Sequence, residues 1–555
     1  MPTLTWTGKN KVINHHQAVP LRVLEHQYGF TAENGRQTPE THSGNMIIHG
    51  DNLEGLKALL PKYEGKIKCI YIDPPYNTGN EKWVYNDNVN DPKFKKWLGQ
   101  VVGKDSEDLN RHDKWLCMMY PRLRLLHKLL ADDGVIFISI DDNEINNLIY
   151  IVNDIFNEKN RLGILIWDLG TGTTAGHFTR AHEYIVTYAK DKAILNNFSN
   201  ILEGEKIIHG ALKKPSKANP FSKIEFPAGI EYEGINAVFE GQIGGSEKIN
   251  IISEKMVFEN GKLKYPVILE AGWGMRNQIL SWLAGKETYD SKGQRVTKFF
   301  FNKNGILWYE KEKDIINPQT ILRKFGSTKN GSTLLLEIMN EKVFDFPKPI
   351  ELLSFLLKLV TDKNSIILDS FAGSGTTTHA VLNLNKQDGG NRKFILIEME
   401  DYAENITAER VKRVINGYGT DKNFVDGLGG SFDYYELGKP LFVGENQEFL
   451  NEEVELSKIR EYVFYSETKA SIDSEISSYN PSDDNRYYLG QYNGTAYYFI
   501  YERDQTTTLN YNILPIIKDK AEQYIIYADN CLLSDDFMKK YNITFKKIPR
   551  DITRL

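Results

Sequence analysis

Apolar positions recur along the chain in two rhythms, one of strand type and one of helix type, and their alternation predicts an α/β fold. Met46 to His49 is a short apolar run of strand length. Gly50-Asp51-Asn52 follows it, and then Leu53, Leu56, Leu59 and Leu60, which share one helix face with Asp51 or Asn52 as the cap. Ile67 and Cys69 to Ile72 form a second strand that must stop at Pro74, because consecutive prolines cannot donate to a sheet ladder. Leu116, Met119, Leu123, Leu126 and Leu130 predict an amphipathic helix packed on a sheet. Gly134 to Ile140 and Ala181 to Tyr188 read as strands, with a Gly/Thr-rich turn at Gly170 to Gly176 between them. Periodicity then weakens from about 191 to 335, where Gly, Lys and Asn rise and short strands such as Lys264 to Leu269 are expected. It returns with a helix over Phe346 to Leu357, Pro349 near its first turn. A strand at Ser365 to Asp369, a helix at Thr376 to Leu384 and a strand at Lys393 to Ile397 follow. Beyond 441 the pattern changes again, to a charged helix at Glu448 to Tyr462, a hairpin around Asn493-Gly494 and strands at Tyr524 to Ala528 and Ile543 to Ile548. Residues 1–45 carry few periodic apolar positions and read as an extended arm with a short helix.

Two strand ends carry candidate chemistry. The strand before Pro74 ends in Asp73-Pro74-Pro75-Tyr76: a carboxylate, a carbonyl whose direction the following ring restricts, and a flat aromatic face with a polar tip. Two acceptors beside an aromatic plate suit an exocyclic amino group on a heterocycle, which they orient for attack on an electrophile; the same tetrapeptide also serves as an ordinary turn. The strand ending in Asp369 runs into Ser370-Phe371-Ala372-Gly373-Ser374-Gly375 and a helix opening at Thr376. Glycines there admit a ligand close to the backbone, and Glu398 at the end of the next strand stands where an acid commonly holds ribose hydroxyls. The turn is neither GxxxxGK[ST] nor GxGxxG, and glycine turns between strand and helix are common in α/β proteins. Asp141-Asp142-Asn143-Glu144 resembles a divalent-metal run but equally a helix N-terminus, and the metal reading is set aside. His182-Glu183 lacks the second histidine of HExxH, since position 186 is Val.

Composition narrows the class. The longest apolar stretch, Leu352 to Val360, contains Lys358 and falls well short of the roughly 20 residues of a membrane span, so no membrane partner is expected. Cys69, Cys117 and Cys531 show no CxxC spacing, and no basic-then-apolar leader pattern opens the sequence, which together suit a reducing cytoplasm. The net charge of −6 hides an uneven distribution. Residues 191–330 hold 21 basic and 16 acidic side chains, net +5, whereas residues 441–555 hold 13 and 19, net −6. The middle suits a phosphate-facing surface and the tail a protein contact.

Asp-Pro-Pro-Tyr in the context IYIDPPYNTGN, with FAGSGTT following it in the chain, resembles the β group of amino-group DNA methyltransferases, and within it the modification (Mod) subunits of type III restriction-modification systems. The resemblance covers about 1–435. It implies a class I, Rossmann-like sheet that binds S-adenosylmethionine and methylates N6 of an adenine flipped out of double-stranded DNA. Asp73, Pro74, Pro75 and Tyr76 are then catalytic. Asp51, Lys348, Asp369, Phe371, Ala372, Gly373, Ser374, Gly375, Thr376 and Glu398 are then cofactor-binding. The implied organisation is an arm (1–45), a catalytic half of the core (46–190), a target-recognition domain (191–335), a cofactor-binding half (336–435) and a small α/β domain (441–555) for a homodimer contact or for a restriction (Res) subunit. An RNA or protein amino-methyltransferase on the same core, or a DNA-binding protein without turnover, are the alternatives.

Overall fold

The computed structural model describes residues 4–78, 99, 111–175, 177–198, 206–217, 219–291, 293–312, 317–420, 423–445, 447–470, 472 and 485–553. The polar loop expected as a lid or DNA contact after Asn77 lies, from residue 79 onward, outside them. The chain forms two compact units, Met1–Asn196 with Gln319–Leu555, and Asn197–Pro318.

The first unit is built on an eleven-stranded sheet. Its strands in chain order are β1 (Arg22–Thr31), β2 (Gly35–Gln37), β3 (Met46–His49), β4 (Ile67–Ile72), β5 (Leu130–Ile140), β6 (Arg161–Ala175), β7 (Phe178–Ala189), β8 (Ile321–Leu322), β9 (Ile366–Asp369), β10 (Lys393–Glu398) and β11 (Ser431–Pro440). They lie side by side as β8-β6-β7-β5-β4-β9-β10-β3-β11-β1-β2. The run from β5 to β11 is parallel. Parallel strands are covered on both faces and read as continuous apolar runs, and Ile67, Cys69, Ile70 and Ile72 of β4 and Phe394 to Ile397 of β10 are all inaccessible to solvent. From β4 the chain moves outward to β5, and from β9 it moves the other way to β10, so the winding reverses between β4 and β9. These two strands pair directly, Cys69 with Ile367 and Ile70 with Leu368. The crevice at their carboxyl ends is where doubly wound sheets take ligands.

The helices follow the apolar spacing. In α1 (Asn52–Tyr63) the predicted leucines are buried, and Asp51 Oδ1 caps the helix by accepting from the amides of Leu53 at 2.8 Å and Glu54 at 3.2 Å. The others around the core are α2 (Arg111–Leu129), α3 (Ile145–Phe156), α4 (Ile350–Val360), α5 (Thr376–Asp388) and α6 (Glu409–Asn416). Pro349 is the residue before α4 rather than part of its first turn. Among the described residues no helix is long and apolar enough to cross a membrane.

Three local expectations are corrected. Within the segment read as an arm, Arg22–Thr31 is a ten-residue strand at the far side of the sheet, pairing Tyr28 with Tyr434 and Phe30 with Phe432; its partner lies near the other end of the core, so no local pattern signals it. The Gly/Thr-rich stretch is not a turn but most of the outer half of β6. Gly170, at φ 71, sits in the register shift between the Asp168–His182 and Thr173–Arg180 pairs, and the reversal comes between Ala175 and Phe178. A glycine there accommodates a bulge that bends the ribbon. The charged helix of the tail runs over Leu456–Thr468, later than its charge pattern suggested, because Tyr462, Val463, Phe464 and Tyr465 supply its buried face.

The tail has its own sheet, Tyr488–Tyr492, Thr495–Phe499, Gln523–Ala528 and Ile543–Lys547, with the hairpin turning at Asn493-Gly494. Both turn residues have positive φ, 47 and 78, the geometry that Asn-Gly tolerates. Within the first unit the tail packs on the large-sheet core, where the Tyr465 hydroxyl donates to Glu64. The second unit is mostly antiparallel. One sheet holds Gln242–Gly244, Lys248–Ile251, Val267–Ala271 and Ser222–Phe226; another holds Thr288–Tyr289, Arg295–Phe301, Leu307–Glu312 and Lys206–Gly210. The expected strand at Lys264 to Leu269 is thus Val267–Ala271. Phe226, Phe258, Trp273 and Phe301 fill the core of this unit.

Asp51→Ala removes the acceptor for two amides at the start of α1 and is expected to lower stability by about 1 kcal/mol, while Asp51→Asn, which keeps a capping oxygen, costs less. Urea unfolding of the three proteins at one pH is the check.

Candidate active site

Strand β4 ends where the ladder cannot continue, and the segment beyond it is pinned from behind. The Trp115 indole donates to the Pro75 carbonyl at 2.6 Å, and the Asn77 amide donates to the buried Glu144 carboxylate. Glu144 also accepts from Asn147 at 2.8 Å and pairs with His112 at 2.7 Å, while Asp141 pairs with Arg180 at 2.7 Å. The acidic run after β5 therefore organises the back of the site.

At the front, Asp73 is held on one side only. Its Oδ2 accepts from Lys348 Nζ at 2.8 Å, and its Oδ1 is buried with no hydrogen-bond partner among the described residues. Lys348 Nζ also stands 3.5 Å from Glu183 Oε2, 5.0 Å from the centre of the Tyr76 ring and 5.9 Å from that of Trp167. Glu183 Oε2 in turn accepts from the Tyr76 hydroxyl at 2.9 Å. Burial works against the Lys348 charge, yet Asp73 and Glu183 outweigh it and hold the ammonium protonated above the ordinary lysine range. Burial, then Asp73 and Glu183, push the Tyr76 phenol well above its ordinary value, so it stays a donor.

The neighbouring strand supplies the second half. Asp369 closes its own turn, accepting from the Phe371 amide at 3.0 Å and the Thr377 hydroxyl at 2.5 Å. Glu398 at the end of β10 accepts from the Gly373 amide at 2.7 Å and the Glu400 amide at 3.0 Å. Burial raises both carboxyls to about 7, although these amide and hydroxyl donors pull the other way. Gly373 has φ 52, and a Cβ there would meet Phe344 at 3.2 Å, so both conformation and space favour glycine. Behind the loop, the fully buried Arg410 donates from Nη1 to the Ser374 carbonyl and hydroxyl and to the Thr376 hydroxyl, at 3.3, 2.9 and 2.7 Å. Burial without a facing carboxylate lowers its pKa to about 10.

Most of the sequence-predicted residues meet here. Asp73 to Tyr76 and Phe371 to Thr376 occupy the carboxyl ends of adjacent strands, with Asp369 and Glu398 beneath the loop. Lys348, which the resemblance made cofactor-binding, faces Asp73. Asp51 caps α1 and stands 3.4 Å from Arg122, while Asn52 donates to the Ser370 carbonyl at 3.1 Å. Glu183, Trp115, Trp167 and Arg410 were not singled out as site residues. An acid directly before the mostly apolar run Tyr184 to Ala189 of β7 was the available signal for Glu183.

The donor set fits S-adenosylmethionine. Among the described residues the buried Ser370 hydroxyl has no partner and no side chain caps α5 at Gly375, and the Glu398 carboxylate closes the adjoining strand. A Rossmann-like sheet with a glycine loop and a terminal acid on one side of its switch point, and Asp-Pro-Pro-Tyr on the other, defines a class I methyltransferase fold. The chain belongs to the DNA methylase family, whose model matches residues 67–409, from β4 to the first residue of α6. It is similar to the type III restriction-modification enzyme EcoPI Mod subunit of Escherichia phage P1, 32% identical over 72% of this chain and 64% of the relative. It is also similar to the StyLTI Mod subunit of Salmonella typhimurium, 31% identical over 70% of this chain and 57% of the relative. The chain thus spans about three fifths of these relatives' length. Among solved structures, that of the M1.HpyAVI–SAM complex is similar at 14% identity and a TM-score of 0.29, over 66% of this chain and 99% of that one.

Glu398 gives a pH prediction for the ligand-free protein. The folded chain keeps it protonated up to about 7 against an ordinary value of 4.5, so between those values the folded state binds more protons than the unfolded one. Stability from this group is present at low pH and is lost as pH rises from about 4.5 through 7. Glu398→Gln removes the titration, and its urea midpoint is expected to fall less than the wild type's between pH 5 and pH 7.5.

Proposed function

We propose that this chain transfers a methyl group from S-adenosylmethionine to N6 of an adenine in a specific DNA sequence, acting in the cytoplasm as the modification subunit of a type III restriction-modification system. The observation that carries the reading is the half-held Asp73: one oxygen fixed by Lys348, the other buried, without a partner among the described residues, and at the end of the strand beside the glycine loop. Such an oxygen at a strand end needs a donor, and an amino N–H supplies one. The Pro74 carbonyl accepts the second N–H, and the Tyr76 ring stacks on the extruded base. S-adenosylmethionine, when bound, supplies an electrophilic methyl group on a sulfonium. Phe371 to Gly375, Thr376 and Glu398 hold it, Glu398 by the ribose hydroxyls.

Family membership and the type III Mod names of the relatives support DNA as the substrate. Net charge supports assigning target recognition to residues 191–335, and the acidic tail at 441–555 suits a homodimer or Res-subunit contact.

Single-turnover transfer of labelled methyl groups to DNA, with N6-methyladenine mapped by sequencing, tests the activity. Asp73→Ala is expected to lose about 10²- to 10³-fold in rate, as for removal of one well-placed electrostatic contact. Asp73→Asn, which keeps an oxygen acceptor, is expected to lose less. Cofactor affinity changes little in either. Near-normal transfer by Asp73→Ala would remove this crevice as the reaction site.

Exchange of residues 191–335 for the equivalent segment of a relative with a different target is expected to carry the new sequence preference with it. An active chimera that methylates the original sequence would place recognition elsewhere.

A further inference from the structure

We propose that Glu183 is a positioning residue for the transfer: it holds the Tyr76 ring through its hydroxyl and, through Lys348, the Asp73 carboxylate, and it supplies the negative charge that leaves the cluster net anionic. This deepens the function proposed above and rests on it. The four side chains come from three separate parts of the chain: the end of β4, the middle of β7 and the segment before α4. They form one line of contacts. The Tyr76 hydroxyl donates to Glu183 Oε2 at 2.9 Å, Lys348 Nζ lies 3.5 Å from that oxygen, and the same ammonium donates to Asp73 Oδ2 at 2.8 Å. The two groups on this line that are proposed to meet the base, the Tyr76 ring and the Asp73 carboxylate, are therefore both set by Glu183. The ring plane of Tyr76 is fixed through its hydroxyl, and the rotation of the Asp73 carboxylate is fixed by the lysine that Glu183 helps to place.

The charge count separates this role from plain packing. A buried tyrosine hydroxyl is satisfied by any neutral acceptor, and Lys348 is already neutralised by Asp73 alone. Adding Glu183, whose side chain is 11% exposed, leaves two carboxylates around one ammonium. An excess buried charge costs free energy. Its placement on the same lysine as the Asp73 carboxylate is productive where positive charge develops during reaction, as it does on an amino nitrogen accepting a methyl group. The backbone beyond β4 is meanwhile secured independently by Trp115 on Pro75 and Asn77 on Glu144, so Glu183 is not needed to keep the turn in place.

Glu183→Gln keeps the size and an acceptor for Tyr76 but deletes the charge. It is expected to lower single-turnover methyl transfer to the mapped DNA site about 10- to 100-fold with unchanged affinity for S-adenosylmethionine and DNA. Lys348→Arg is expected to retain more activity than Lys348→Met. Tyr76→Phe, which leaves the ring but cuts the line, is expected to lose rate, and combined with Glu183→Gln to lose less than the product of the two single losses. A wild-type rate in folded Glu183→Gln, or equal loss in Lys348→Arg and Lys348→Met, overturns the inference. So does a loss confined to ligand affinity. Wild-type protein that methylates no DNA defeats the underlying functional reading instead, so the two failures are distinguishable. Should Glu183→Gln not fold, Tyr76→Phe and the lysine pair carry the test.

Discussion

The pairing of β4 with β9 is the constraint on which the site depends. Cys69 beside Ile367 and Ile70 beside Leu368 place two strand ends from opposite halves of the core in adjacent positions. One strand ends in two prolines and the other in a glycine turn, so neither can prolong the ladder past its last apolar residue. The result is an open crevice floored by buried strands. The chain winds away from it in both directions, to β5 on one side and β10 on the other, which keeps helices and crossover connections out of it.

Around this crevice the fold buries charge that a packed core would avoid. Asp369 and Glu398 are fully enclosed, and burial raises both carboxyls into the neutral range. Lys348 is enclosed between two carboxylates. Among the described residues Arg410 is enclosed with no facing acid, and two of its nitrogens have no hydrogen-bond partner. Each such group costs stability, and each touches either the glycine loop or the Asp-Pro-Pro-Tyr turn. Concentrating unfavourable burial at one end of a sheet is what a preorganised polar site requires, since its dipoles and charges must be in place before a ligand arrives.

Function and scaffold divide between different kinds of structure. The parallel core is uniform and apolar, whereas Asn197–Pro318 is a separate compact unit of short antiparallel strands with its own aromatic centre. Short strands joined by many turns tolerate change in length and surface more readily than a buried parallel sheet. That difference suits a unit of variable specificity joined to a fixed reaction centre, which is the division proposed for this chain.

Local pattern was enough to determined the core strands, the leucine face of α1, the Asn-Gly hairpin and the two turns of the site, because each depends on side-chain periodicity or on the backbone limits of proline and glycine. Asp73 to Tyr76 and Phe371 to Glu398 were legible for that reason, and the charge imbalance between residues 191–330 and the tail needed only counting. What tertiary structure alone decided are relations between residues far apart in sequence. Arg22–Thr31 became a sheet strand because Ser431–Pro440 offered an edge to pair with. Lys348 went to Asp73 because Asp73 and Glu183 together outweigh the cost of burying its ammonium. Asp51 stayed a helix cap, and Asn52 reached the glycine loop, because β3 lies beside β10 in the sheet. Periodicity reports which face of an element is buried; it carries no information on which distant group that face will meet.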